Sequence, residues 1–218
     1  MEVKNATYFH IHRVGPHSSL WQVGARINWV QKRNNLFYDY YNRTQLSHDD
    51  GSGALPFRKA LERYLANDDA AYKEEQGERL IQASLGIVKD LCMFVREVIF
   101  EEVRSNYFPQ LPSRKTCIWV FPASATEFWW KTLKPEERRL RILKLRLTGT
   151  MHIADQRHLY ADTFRHDDLR AKAFEYWTGT DGKAEEEQEM LFEGIIDVLA
   201  QYESIEAFKE AEQDVPVD

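Results

Sequence analysis

The chain has 218 residues, 43% hydrophobic and 29% charged, which is enough apolar material to close one sizeable core and excludes a disordered chain. No run of eighteen apolar residues occurs, and the opening Met1-Glu2-Val3-Lys4-Asn5 lacks the basic start and apolar stretch of a leader, so a cytoplasmic protein with no membrane span is expected. The net charge of −6 hides an asymmetry, because residues 185–218 carry 12 acidic and 1 basic side chain while the remainder is mildly basic, at +5.

A strand is expected over residues 6–14, closed by Gly15-Pro16, with Tyr8, His10 and His12 on one face. A short helix over 19–23 ends at Gly24, and the aromatic cluster Phe37-Tyr38-Asp39-Tyr40-Tyr41 precedes a polar loop at 47–53. Two helices follow, at about 56–66 and 78–105; the second repeats Leu80, Ile81, Leu85, Val88, Leu91 and Val95 at helical spacing. Its charged side chains Arg96, Glu97, Glu101, Glu102 and Arg104 are expected on a solvated face. Beyond Pro109 and Pro112, Thr116–Phe121 has the length and apolar run of a buried strand, and Thr126–Thr132 that of a short helix. Arg141–Leu147 alternates as a strand, Thr148-Gly149-Thr150 turns it toward Asp155, and 167–177 is helical. Glu185 to about Ala211 is expected as an acidic amphipathic helix.

Cys92 and Cys117 lie in apolar runs and suit reduced, buried thiols better than a disulfide or zinc ligands. A metal site would recruit His152, His158 or His166, but no paired histidines at helical spacing support one, so no metal is expected. The 28 aromatic residues suggest a pocket that stacks planar ligands. His10 and His12 could hydrogen-bond ribose hydroxyls. Asp155 places a carboxylate at the mouth of the sheet, and Arg114, at a Pro112-Ser113-Arg114 strand entrance, could clamp a pyrophosphate. The segment 131–146 holds Lys131, Lys134, Arg138, Arg139, Arg141, Lys144 and Arg146 against Glu136 and Glu137, a basic patch able to steer a nucleic acid.

The order of these pieces resembles the ADP-ribosyltransferase superfamily, in particular its rifamycin-modifying and DNA-targeting bacterial branches. Tyr8-Phe9-His10-Ile11-His12-Arg13 with Leu20–Gly24 resembles the family's histidine-bearing first strand and following helix. Cys117–Ala123 through Trp129 resembles the strand and helix carrying its aromatic position, and Ile142–Gly149 through Asp155 the strand, turn and acidic residue. The chain also resembles an uncharacterised bacterial family with a Pro-Ser-Arg strand entrance and a Tyr-Trp pair, here Tyr176-Trp177. The usual first-strand His-Gly-Thr is absent, and Asp155 stands where most members have Glu.

The resemblance implies an α+β fold with a split β-sheet core over residues 1–183, a helical insertion at about 56–105, and an acidic C-terminal helix and tail over 184–218. It implies an NAD-dependent transferase of the toxin or phage-defence type, cleaving the nicotinamide N-glycosidic bond through an oxocarbenium-like transition state. In it Asp155 would be the catalytic acidic residue, its carboxylate accepting from a ribose hydroxyl, His10 or His12 would hold the adenosine-side ribose, Trp119 or Phe121 would pack near nicotinamide, and Arg13 with Arg114 would hold the pyrophosphate. The implied acceptor is RNA or DNA, with a protein acceptor as runner-up, and a neutralising protein partner would dock on the acidic C-terminal helix. The rival readings are a non-catalytic nucleotide- or partner-binding protein of the same fold and an RNA-end phosphotransferase.

Overall fold

Alternation along the first segment produces a longer strand than its apolar core suggests. In the computed structural model β1 spans Glu2–Arg13, with Phe9 and Ile11 buried on one face and Tyr8, His10 and His12 half-buried on the other. The structure describes residues 1–15, 18–30, 39, 47–49, 53–133, 139–160, 165–179 and 188–212. Phe37, Tyr38, Tyr40 and Tyr41 of the aromatic cluster, and Lys134, Glu136, Glu137 and Arg138 of the basic segment, lie outside these residues. The chain divides into two compact units, residues 1–35 with 99–218 and residues 36–98.

The first unit is built on an antiparallel sheet. After a 3-10 turn at Ser18–Trp21 come β2 (Arg26–Trp29), β5 (Ile118–Val120), β6 (Leu140–Asp155) and β7 (Gln188–Tyr202), in the order β1-β6-β7-β2, with β5 also on β7. One edge of β7 is shared end to end, since β5 pairs with Met190–Phe192 and β2 with Gly194–Asp197. Just past β5, Phe121 exchanges both backbone hydrogen bonds with Phe9 (2.8 and 2.9 Å), which curls β5 back onto β1.

Thr148-Gly149-Thr150 is no turn; it runs straight through β6. Gly149 pairs directly with Gly194, and the two strands approach so closely that a Cβ on Gly149 would lie 2.4 Å from the Glu193 carbonyl oxygen. Only glycine tolerates both that contact and a φ of +156°.

The acidic C-terminal helix is likewise replaced. Residues 188–202 form β7, the strand between β6 and β2, and among the described residues beyond it only α5 (Ile205–Glu212) is helical. Phe192, Gly194, Ile196 and Val198 face inward at a period of two, and their β-branched and aromatic neighbours favour a pleated strand over a helix. The interior face of the sheet packs Leu143, Leu145, Leu147, Met151, Phe192, Ile196 and Trp21 into one core. A second core, around Phe9, Ile11, Phe121, Trp130, Ile142 and Phe208, lies under α5 and α3 (Thr126–Leu133).

The second unit holds a hairpin of β3 (Ser47–Asp49) and β4 (Ala54–Pro56), where a loop was expected, followed by α1 (Phe57–Ala66). Of α2 (Ala70–Tyr107), residues up to Val98 belong to this unit and those from Ile99 to the first. The expected solvated face of α2 is partly inverted. Arg96 and Glu97 are buried as an ion pair, with Arg96 Nε and Nη2 on Glu97 Oε1 at 3.1 and 2.7 Å, while Ile81, Leu85 and Val88 are exposed. In the first unit α4 (His166–Thr178) buries Leu169, Ala173, Tyr176 and Trp177, and Trp177 Nε1 donates to the Phe100 carbonyl at 2.8 Å. No described helix is long and apolar enough to cross a membrane.

Candidate active site

The strand entrance at Pro112-Ser113-Arg114 is fixed by its own polar groups. Ser113 N–H donates to Glu193 Oε1 (3.0 Å), and its hydroxyl donates to Glu101 Oε2 (2.9 Å), which Arg104 also holds. The Ser113 carbonyl accepts from Cys117 N, a tight turn that leads directly into β5. Anchored this way, Arg114 enters the interior and is 3% exposed.

Its guanidinium donates through Nη1 to the Tyr176 hydroxyl (2.8 Å) and to Glu189 Oε2, and it lies over the rings of Tyr176 (5.3 Å) and Trp119 (5.9 Å). Tyr176 OH donates to the same Glu189 oxygen at 2.5 Å. Every hydrogen bond that the Glu189 side chain makes to a described residue therefore ends on Oε2, and Oε1 accepts none. Burial pushes the Tyr176 phenol well above its ordinary range, so it keeps its proton and acts as the donor.

The sheet register lines up the rest. Trp119 on β5 is opposite Leu191, which is opposite His152 on β6, while Glu189 is opposite Ala154. Trp119, Glu189 and His152 thus share one sheet face. His152 stacks on Trp177 at 5.1 Å, places Nε2 3.0 Å from the Tyr176 carbonyl, and is lowered to about 4, chiefly by burial.

His10 touches this group only at the Trp119 backbone, because its ring is on the core-side face, opposite Leu143. Its Nδ1 lies 2.8 Å from the Trp119 carbonyl oxygen, and burial lowers its pKa, so the neutral ring carries its hydrogen on Nδ1 and a lone pair on Nε2. The ring stacks on Trp21 at 5.4 Å. His12 contacts Ser18 Oγ at 2.9 Å and is lowered to about 4 by burial, then by His10 and Arg141.

Of the residues singled out from the sequence, the structure brings Arg114 and Trp119 together, while the His10 ring lies on the opposite face of the sheet, with Leu143 and Trp21. Phe121 instead belongs to the second core, its ring 6.5 Å from Trp129, and Arg13 is exposed opposite Leu140. Asp155 is the last residue of β6, 2% exposed and opposite Gln188. It caps the 3-10 turn Gln156–Leu159, and Arg157 closes on it through N (2.8 Å), Nε (2.9 Å) and Nη2 (2.5 Å). Those Arg157 hydrogen bonds hold the Asp155 carboxyl below its ordinary range.

Sequence reasoning missed Glu189 as a site residue. It sits at the end of the acidic run Glu185-Glu186-Glu187-Gln188-Glu189, which resembles the solvated start of a helix. The available signal was the step from that run into Met190-Leu191-Phe192, a strand entry that buries one carboxylate.

The basic segment is internally neutralised where it is described. Lys131 pairs with Glu127, Arg139 and Arg141 with Glu203, Lys144 with Glu212 and Arg146 with Asp197, at 2.7–3.6 Å. A cleft of about 250 Å³ between Trp130, Leu140 and Ile205 includes none of the site candidates. Cys117 is buried and Cys92 half-buried, both free, and no described group of three or more His, Cys, Asp or Glu could hold a metal.

No curated protein matches the chain. Residues 8–207 match the model of a family described as a protein of unknown function (DUF2441), and the chain belongs to that family.

Proposed function

We propose that this chain is an NAD-dependent ADP-ribosyltransferase of the toxin type that passes ADP-ribose to a nucleic acid, with Glu189 as the working carboxylate and Asp155 as the alternative. The observation that supports this reading is the half-anchored carboxylate of Glu189, with one oxygen held by Arg114 and Tyr176 and the other accepting from none of the described residues. Such an oxygen can accept a hydrogen bond from a ribose hydroxyl, and that bond strengthens as positive charge builds on the ribose. The half-buried Trp119 ring gives nicotinamide an aromatic wall. The C1′–N bond breaks with its electron pair leaving on nicotinamide. A nucleophilic oxygen or nitrogen of the acceptor forms the new bond to C1′ and releases its proton to solvent.

Two observations favour other readings. Arg114, Tyr176 and Glu189 satisfy one another and Arg157 closes Asp155, which suits a nucleotide- or partner-binding protein without catalysis. The pairing of Lys131, Arg139, Arg141, Lys144 and Arg146 with carboxylates favours a protein acceptor over a polyanion.

The test is incubation with adenylate-labelled NAD in a cell-free lysate, following nicotinamide release and label entering RNA, DNA and protein. Nicotinamide release that falls about 100-fold or more in Glu189→Gln, with label in one polymer, is the expected outcome. Loss in Asp155→Ala alone would move the catalytic role to Asp155. No release from the wild type would favour the binding protein.

A further inference from the structure

We propose that Tyr176 is a positioning residue for Glu189: its hydroxyl, steadied by Arg114, pins Oε2 and thereby presents Oε1 to a ligand. The inference rests on the transferase reading for the identity of that ligand, but its geometry stands by itself.

A buried phenol in this place needs a reason, because phenylalanine would fill the same space and a buried hydroxyl must find a partner. The Tyr176 ring is wedged by Phe100 (5.3 Å), His152 (5.6 Å) and Trp177 (4.9 Å), and its carbonyl is tied to His152 Nε2 at 3.0 Å. The hydroxyl therefore has little freedom, and it points at one oxygen of one carboxylate, 2.5 Å away. An arginine left alone with a carboxylate commonly takes both oxygens in a fork. Here Arg114 Nη1 is divided between the phenol and Oε2. The phenol and the guanidinium thus meet at one oxygen, and neither donates to Oε1.

The test is Tyr176→Phe in the full chain, which keeps the ring and removes the donor. Glu189 is followed by carboxyl-carbon NMR with labelled glutamate, its signal assigned by its loss in Glu189→Gln. Removing a donor to the ionised carboxylate disfavours the charged form, so the Glu189 titration is expected to move upward relative to the wild type. Nicotinamide release is expected to lose about 10- to 100-fold in kcat with KM for NAD within about twofold, the scale of one charge-assisted hydrogen bond. Placing 3-fluorotyrosine at position 176 makes the phenol a stronger donor, and the titration should then move downward. A Glu189 titration unchanged in both variants overturns the inference. Because that titration needs no turnover, it decides the role of Tyr176 even where the wild type releases no nicotinamide, a result that would remove the transferase reading alone.

Discussion

Asp155 and Glu189 lie one register step apart on neighbouring strands, opposite Gln188 and Ala154, so their side chains point to opposite faces of the sheet. Asp155 shares its face with Met151 and the interior core and is closed by Arg157, while Glu189 shares its face with His152, Trp119 and Arg114. The buried imidazoles on the two faces make the fold acid-sensitive. His152 and His12, lowered to about 4 from an ordinary 6.5, are neutral in the folded chain at pH 5 and protonate more readily when unfolded. The unfolded state then binds the extra protons, so stability is full above about pH 6.5 and falls as the pH drops toward 4. Each histidine contributes at most about 1.4 kcal/mol per pH unit in that window. Urea titrations from pH 7 to 4.5 should show this decline, and His152→Gln should flatten it; an unchanged slope would remove His152 as a cause.

The two long strands show how much an element's sequence conceals. β1, α1, α2, α3 and α4 were all legible from periodicity and punctuation, because each has a consistent apolar spacing between recognisable breaks. β6 was legible only to Leu147, since Thr148-Gly149-Thr150 has the composition of a turn and the reason for its glycine lies on another strand, at Gly194. β7 was misread for a related reason: apolar pairs such as Leu191-Phe192 and Ile195-Ile196 fit a helical stripe as well as a strand, and Gly194 weakens both patterns. With β7 misread, Glu189 was lost as well, whereas His10 and Trp119 lay on strands whose presence, though not whose bounds, was legible, and Arg114 at the entrance to one of them. Gly149→Ala or Gly194→Ala should cost at least about 2 kcal/mol, as either Cβ would lie within 2.5 Å of a carbonyl oxygen of the other strand. Gly86→Ala, in open space on α2, should instead stabilise by about 0.5–1 kcal/mol. Chemical denaturation of the three variants checks the contrast, and equal effects would contradict the close approach of β6 and β7.

At the scale of the whole molecule, the charge asymmetry belongs to the fold. Lys144 and Arg146 on β6 pair with Glu212 and Asp197, and Arg139 and Arg141 pair with Glu203, so the acidic C-terminal region answers the basic segment beside it. A detachable acidic helix awaiting a partner is not what residues 188–202 form. Deletion of 185–218 takes away the strand that holds β6, β5 and β2, and should remove the near-ultraviolet circular dichroism of the sheet unit; a truncation product that keeps it would contradict the sheet order.

The same connectivity sets a timetable for synthesis. β1 emerges early, but its hydrogen-bonding partners are residues 140–150 on one side and Phe121 on the other, and β2 waits for residues 194–197. The Met1 ammonium, which donates to the Met151 carbonyl at 2.7 Å, also waits for that late segment. On the ribosome, therefore, β1 finds its ladder only once β6 has left the exit tunnel, and β2 and β5 stay unpaired and exposed to chaperones and proteases until β7 has followed. The contacts within residues 36–98 carry no such delay.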